Sequence, residues 1–204
     1  GLLKMDFLGL RNLTVIADAE REIRKRVPDF AIANIPDDDP ETFAMLTEGK
    51  TQGVFQLESA GMTGVCVNMK ASSIEDITAI VALYRPGPMD SIPRFIECRH
   101  DKSKIKYDLP ELEPILRSTY GCTVYQEQVM SIFRTVAGYT YGHADIVRRA
   151  MSKKKASVLE SERESFIEGA KSNGIDANKA EKLFDDMASF ANYAFNKAHA
   201  AAYS

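Results

Sequence analysis

Residues 126–191 read QEQVMSIFRTVAGYTYGHADIVRRAMSKKKASVLESERESFIEGAKSNGIDANKAEKLFDDMASFA, and this stretch decides the fold class. Gln126–Val136 reads as a helix that stops near Gly138. About Gly142–Met151, Ser157–Lys171 and Ala177–Ala191 follow as three more, with Asn173-Gly174 ending the second of these. A last helix begins near Asn196. Helices in succession, with no internal repeat or low-complexity segment between them, predict an all-helical body.

Upstream the pattern is mixed. Cys122–Tyr125 reads as a short strand after a linker over His100–Leu109, and Arg85-Pro86-Gly87-Pro88 as a rigid turn. Ser72-Ser73-Ile74-Glu75 is a capping box leading a helix with Ile74, Ile77, Val81 and Tyr84 inward. Asp39-Pro40-Glu41 starts another, running to about Glu48 and ending at Gly49. Val54–Leu57 fits a strand or a turn. Arg11–Val27 carries Leu13, Ile16 and Ile23 at helical spacing, with Arg24-Lys25-Arg26 in its last turn and Pro28 as its stop. Leu2–Leu8 alternates as a short buried strand that Gly9 breaks. The expected fold is mainly α, with a strand-bearing edge at the N-terminus.

The chain has 204 residues, 45% of them apolar, with 26 Lys and Arg against 29 Asp and Glu for a net charge of −3. That excludes disordered and collagen-like classes and allows a core without disulfides or a structural metal. The longest apolar runs, such as Ile77–Tyr84, fall well short of the roughly 20 residues of a membrane span. Lys4 and Asp6 put charge where a signal peptide would be apolar. Cys66, Cys98 and Cys122 are odd in number and widely spaced, which argues against a disulfide framework or a zinc site and fits a reducing cytosol. Cys66 and Cys122 have no cation or histidine beside them, Cys98 is followed by Arg99 and His100, and all three read as inert thiols. The opening without Met and the close at Ala200–Ser204 in mid-helix read as a piece of a longer polypeptide.

Charge is unevenly placed. Between His143 and Lys155 stand five cations and one acid, so this stretch is +4 and the remainder −7. An isolated basic patch on an acidic chain points to a local anionic ligand. Arg149 and Lys153 share a helical face, with Asp145 one turn before Arg149. Arg148, Arg149 and the lysine run suit a triphosphate or a nucleic-acid backbone; a solvated helix end is the alternative.

Two further groups carry polar chemistry. Lys4 and Asp6, two apart in a strand, point to one face. They make either a structural ion pair or a metal-binding carboxylate beside a phosphate-binding lysine, and further metal ligands are not evident in the chain. Asn196, His199 and Tyr203, at i, i+3 and i+7 with Lys197 adjacent, form a stripe suited to stacking on a base or to plain helix packing. Gln126-Glu127-Gln128 and Gln56, Glu58 and Ser59 read as structural groups satisfying turns and helix ends. No Gly-x-Ser-x-Gly elbow, Walker loop or Rossmann glycine pattern is present.

Six ordered blocks then resemble one family over essentially the whole chain. They are Lys4-Met5-Asp6-Phe7-Leu8-Gly9-Leu10-Arg11, Gly53–Ser59 with Gly61-Met62, Arg85-Pro86-Gly87-Pro88, Tyr125–Met130, Arg148-Arg149-Ala150-Met151-x-Lys153-Lys154-Lys155 and Phe195–Tyr203. All are similar to the bacterial replicative C-family DNA polymerase III alpha subunits. Ser152 departs from the family's usual glycine.

The resemblance implies residues 1–10 as the end of a polymerase-beta-like palm and 11–204 as a fingers domain truncated at its C-terminal end. It implies Asp6 as the third of three aspartates holding two Mg²⁺ ions, the other two lying upstream of this chain, with Lys4 near the reacting phosphates. Arg148, Arg149 and Lys153 would meet the triphosphate of an incoming dNTP. Arg85, Asn196, Lys197 and His199 would face the nucleotide or the nascent base pair. Implied partners are primer–template DNA, incoming dNTP and, through regions outside this chain, the sliding clamp and the clamp-loader tau subunit. The chain alone would be inactive. The rival expectation is a non-catalytic helical module that binds nucleotide or DNA backbone.

Overall fold

The computed structural model describes residues 10–153, 156–191 and 193–204, without the side chains of Ser152 and of residues 156–158. Among these residues the fold is mainly α, as expected, with eleven α-helices, short 3-10 turns and no strand. The predicted N-terminal strand, with Lys4 and Asp6, lies outside the described residues.

Two apolar cores organise the helices. The first gathers α2 (Pro40–Thr47), α3 (Ala60–Met69), α4 (Ile74–Leu83) and α5 (Ile92–His100) around Met69, Ile80, Leu83 and Phe95. The second gathers α6 (Glu113–Leu116), α7 (Gln126–Ala137), α8 (Tyr141–Ser152), α9 (Ala156–Ser172) and α10 (Ala177–Phe190). At its centre Phe133 meets Phe166 edge-on at 5.2 Å between ring centroids and Phe184 at 6.1 Å.

Local chemistry sets the helix ends. Asp39 accepts the Thr42 N–H at 3.0 Å to start α2, with Pro40 at its first position. Gln128 reaches back from the third residue of α7, its Oε1 accepting the Val124 and Tyr125 N–H groups at 2.8 and 3.0 Å. Gly138 closes α7 with φ 73°. Gly174, at φ 79°, ends α9 in a Schellman arrangement: Ile175 N–H reaches the Ala170 carbonyl at 3.0 Å and Gly174 N–H that of Lys171 at 2.9 Å. Asp176 then caps α10 through the Asn178 and Lys179 N–H groups.

The last helix, α11 (Lys197–Tyr203), returns from the second core to the first. It packs on α4 and buries Ala200 completely. The return is fixed by a parallel bridge between Tyr125 and Phe195.

Three expectations need correction. The box before α4 is one residue later than Ser72–Glu75 suggests: Ser73 accepts the Asp76 N–H at 3.2 Å, and Asp76 accepts the Ser72 N–H at 2.9 Å. Asp76 wins over Glu75 because Arg99 holds its carboxylate inside. Cys122–Tyr125 is extended but carries only the isolated bridge, since no second strand pairs with it among the described residues. Pro88 opens a 3-10 turn, Pro88–Ser91, instead of closing a plain turn. The expected first helix is α1 (Arg11–Arg24), on which Leu13, Ile16 and Ile23 are exposed and no residue is buried.

Candidate functional site

The site begins where α4 stops. Gly87, at φ 99°, turns the chain and lets the Tyr193 ring lie against its backbone; a Cβ there would stand 2.4 Å from Tyr193 Cε1. Arg85 therefore sits beneath the segment that precedes α11. Its Nε donates to the Ala82 carbonyl at 2.9 Å, and an Nη donates to the Tyr193 carbonyl. The guanidinium lies 4.6 Å from the centre of the Phe195 ring. Burial pulls the Arg85 pKa down from its usual value.

The next residues form one ribbon. Asn196 caps α11, its Oδ1 accepting the His199 N–H at 2.8 Å. The Lys197 N–H donates to the Glu127 carboxylate at 3.1 and 3.2 Å, and the Lys197 ammonium lies 5.5 Å from the Tyr125 ring centre. The His199 ring sits 5.7 Å from Phe195 and 4.6 Å from Tyr203, and Tyr203 stacks on Phe55 at 5.5 Å. The predicted i, i+3, i+7 stripe is real, and Asn196, Lys197 and His199 are all exposed. The Asn196 carbonyl oxygen, however, is engaged in the cap.

The basic helix α8 is a second group. Thr140 caps it through the His143 N–H, and Asp145 holds both arginines. Arg148 donates to Asp145 Oδ1 from Nη2 at 2.7 Å and from Nε at 3.2 Å, while Arg149 pairs with Oδ2 at 2.7 Å. Burial would raise the Asp145 carboxyl, but the two guanidinium groups outweigh it and hold the pKa below the usual value. Exposure separates the pair: the Arg148 side chain is 13% accessible and the Arg149 side chain 67%. Arg149, together with exposed Lys153 at the end of α8, is therefore the half that faces solvent.

The structure thus brings Arg85 and His199 onto the Phe195 ring, with Asn196 capping the helix that follows and Lys197 over the bridged Tyr125, on the first core. It places Arg148, Arg149 and Lys153 on the second. Lys4 and Asp6 lie outside the described residues, and so do Lys154 and Lys155. Among the described residues, no three His, Cys, Asp or Glu side chains converge to hold a metal.

Sequence reasoning missed Tyr193 and the positioning role of Glu127. Glu127 was read as a turn group at the start of α7, and nothing local shows that its carboxylate serves a helix 70 residues away. Tyr193 carries a weak signal, an aromatic residue two before Phe195, but its partner Arg85 is 108 residues away. Gln126 and Gln128 are structural, as expected: Gln126 Nε2 donates to the Ala194 carbonyl at 3.1 Å and Gln128 Nε2 to Thr119 Oγ1 at 2.8 Å.

Residues 12–174 match the bacterial DNA polymerase III alpha subunit finger domain. The DNA polymerase III subunit alpha of Staphylococcus aureus (strain COL) is 52% identical over 205 residues, covering 100% of this chain and 19% of the relative. That of Staphylococcus epidermidis (strain ATCC 12228 / FDA PCI 1200) is 49% identical with the same coverage. The chain thus spans 19% of the length of these relatives. No helix among the described residues is long and apolar enough to cross a membrane. With the family matched over most of its length, this chain belongs to the bacterial DNA polymerase III alpha subunit finger domain family.

Proposed function

We propose that this chain is the fingers portion, with the final palm strand, of a cytoplasmic DNA-directed DNA polymerase that extends a primer 3′-hydroxyl in bacterial chromosome replication. The observation that carries the reading is the convergence of Arg85 and His199 on the Phe195 ring, from segments more than 100 residues apart, with Lys197 over the ring of Tyr125, the residue bridged to Phe195. These cationic and aromatic groups suit a nucleotide, which presents both phosphate and a flat base.

In this reading residues 1–10 end the palm and 11–204 form the fingers. Arg149 and Lys153 bind the triphosphate of the incoming dNTP, and Arg148 supports them through the shared Asp145. Arg85, Asn196, Lys197 and His199 face the nucleotide or the nascent base pair. Lys4 lies near the reacting phosphates, and Asp6 is one of three aspartates for two Mg²⁺ ions. Those ions, when bound, activate the primer hydroxyl and neutralise the leaving pyrophosphate. The other two aspartates, and the surfaces for the sliding clamp and the tau subunit, belong to the longer polypeptide. With one aspartate of three, the isolated chain does not extend primers.

The test is primer extension by the full-length polypeptide carrying Asp6→Asn, with primer–template binding measured in parallel. The reading predicts extension lost and binding kept. Near-normal extension would make Asp6 a structural partner of Lys4 and withdraw the catalytic assignment.

A further inference from the structure

Cations on this surface are mostly held by carboxylates: Arg21, Arg24, Lys25, Lys50, Lys104, Arg117, Arg163, Lys171 and Lys182 all sit in ion pairs. Three are instead held over aromatic rings. Two are Arg85 and Lys197; the third is Arg134, whose guanidinium lies 3.6 Å from the centre of the Tyr141 ring. A ring face fixes a cation without neutralising it, so its charge stays available to an anion. Neither the Arg134 guanidinium nor the Lys197 ammonium has an ion pair with a carboxylate among the described residues.

Arg134 also joins the two groups of the candidate site. On α7, Glu127, Ser131, Arg134 and Thr135 follow one another at i, i+4, i+7 and i+8, a single face. With Tyr125 and Lys197 they line a cleft of about 410 Å³. On α8, Tyr141, Asp145, Arg148 and Arg149 share a face by the same spacing. The Arg134–Tyr141 stack therefore connects the Lys197 end of the cleft to the arginines of α8. The cleft is lined by two cations, the hydroxyl-bearing residues Ser118, Tyr125, Ser131 and Thr135, and one carboxylate, which already accepts the Lys197 backbone N–H.

We infer that this cleft is a phosphate-binding site, with Arg134 as its principal contact and Tyr141 as the support that orients it. The phosphate belongs to a DNA strand or to a nucleoside triphosphate. The inference rests on the nucleotide and DNA reading above, and it adds a contact which that reading does not contain.

The experiment uses the full-length polypeptide carrying Arg134→Gln or Arg134→Lys, with two probes: a fluorescent primer–template titrated at several salt concentrations, and dNTP in steady-state extension. Arg134→Gln is expected to weaken one probe about three- to tenfold, while Arg134→Lys recovers most of the loss. A weaker primer–template Kd with a salt slope shallower by about one identifies a DNA phosphate. A raised dNTP KM with unchanged DNA binding identifies the triphosphate. Arg134 and Tyr141 are both exposed, so thermal unfolding should not move. Unchanged binding of both probes by Arg134→Gln overturns the proposal, and so does equal loss in the Gln and Lys variants, which would make the residue a packing group. A wild-type polypeptide that binds neither probe overturns the polymerase reading, and this inference with it.

Discussion

Tyr125 and Phe195 lie side by side as a single parallel bridge, with Phe195 N–H on the Val124 carbonyl at 3.0 Å and Gln126 N–H on the Phe195 carbonyl at 2.9 Å. Tyr125 belongs to the first core and begins α7 of the second, so the bridge is also where the two cores meet. It sets the height of the Phe195 ring over Arg85 and the point from which α11 departs. The candidate site therefore depends on backbone pairing between segments 70 residues apart.

Because α11 has only seven residues, it cannot hold its own first turn, and Glu127 supplies an acceptor for it. Glu127→Ala should speed hydrogen exchange at the amides of Lys197–Ala200, with local protection falling by about 0.5–1.5 kcal/mol. Exchange rates equal to wild type would remove Glu127 from the assembly.

Asp76 and Arg99 form a buried pair, their side chains 3% and 11% accessible, with Nη2 to Oδ2 at 2.7 Å. Arg99 also donates to the Met69 carbonyl, so the pair ties α3, α4 and α5 together. Arg99→Ala would leave a buried carboxylate without its counter-charge and should cost about 3–5 kcal/mol in denaturant unfolding.

The same pair sets a pH dependence. Burial would raise the Asp76 carboxyl, but Arg99, the Ser72 N–H and the Tyr120 hydroxyl outweigh it and hold the pKa below 3.8. The stabilisation is thus fully present above 3.8 and is lost as pH falls through the lower folded value. Acid unfolding of Asp76→Asn should lack that loss, whereas a profile parallel to wild type would assign it to other groups.

Two glycines in helices should respond oppositely to alanine. A Cβ at Gly169 would stand 2.4 Å from the Ala137 carbonyl oxygen, where α9 crosses the end of α7. Backbone there cannot give way, so Gly169→Ala should destabilise by about 1–3 kcal/mol. At Gly64 in α3 a Cβ meets nothing within 4 Å, and alanine should stabilise by about 0.5–1 kcal/mol. Chemical denaturation of both variants checks the pair.

The three cysteines are buried, and burial raises the Cys66 thiol and pushes Cys122 up to about 11. Iodoacetamide at about pH 8 should leave Cys66 and Cys122 unmodified in the folded protein and label them after denaturation. Labelling of the native protein at Cys122 would contradict the packing around it.

Helices whose caps are local were legible in the sequence: Asp39-Pro40, Asn173-Gly174 and the Gly138 stop mark their ends within a residue or two. α3 was not, because Gly61, Gly64, Val65 and Val67 lower its helix propensity, and burial of Met62, Cys66 and Met69 behind the Ser59 cap secures it. α5 was hidden by Pro93 next to the Arg85–Pro88 turn. At the site, residue types and the α11 spacing could be read directly. What could not be read is that Asp145 covers Arg148 while leaving Arg149 open, or that Arg85 meets Phe195, since both follow from tertiary packing.

The most direct test of the fingers assignment is steady-state primer extension by the full-length polypeptide carrying Arg149→Ala, read as dNTP KM beside primer–template Kd. Arg149 is exposed, and its ion pair among the described residues is to Asp145, so the fold should tolerate the change. The account predicts a KM raised about tenfold or more, the size of a lost charge-assisted contact, with primer–template Kd within about twofold of wild type. An unchanged KM would mean that α8 presents its cations to solvent alone, and the nucleotide-binding role of this face would be wrong.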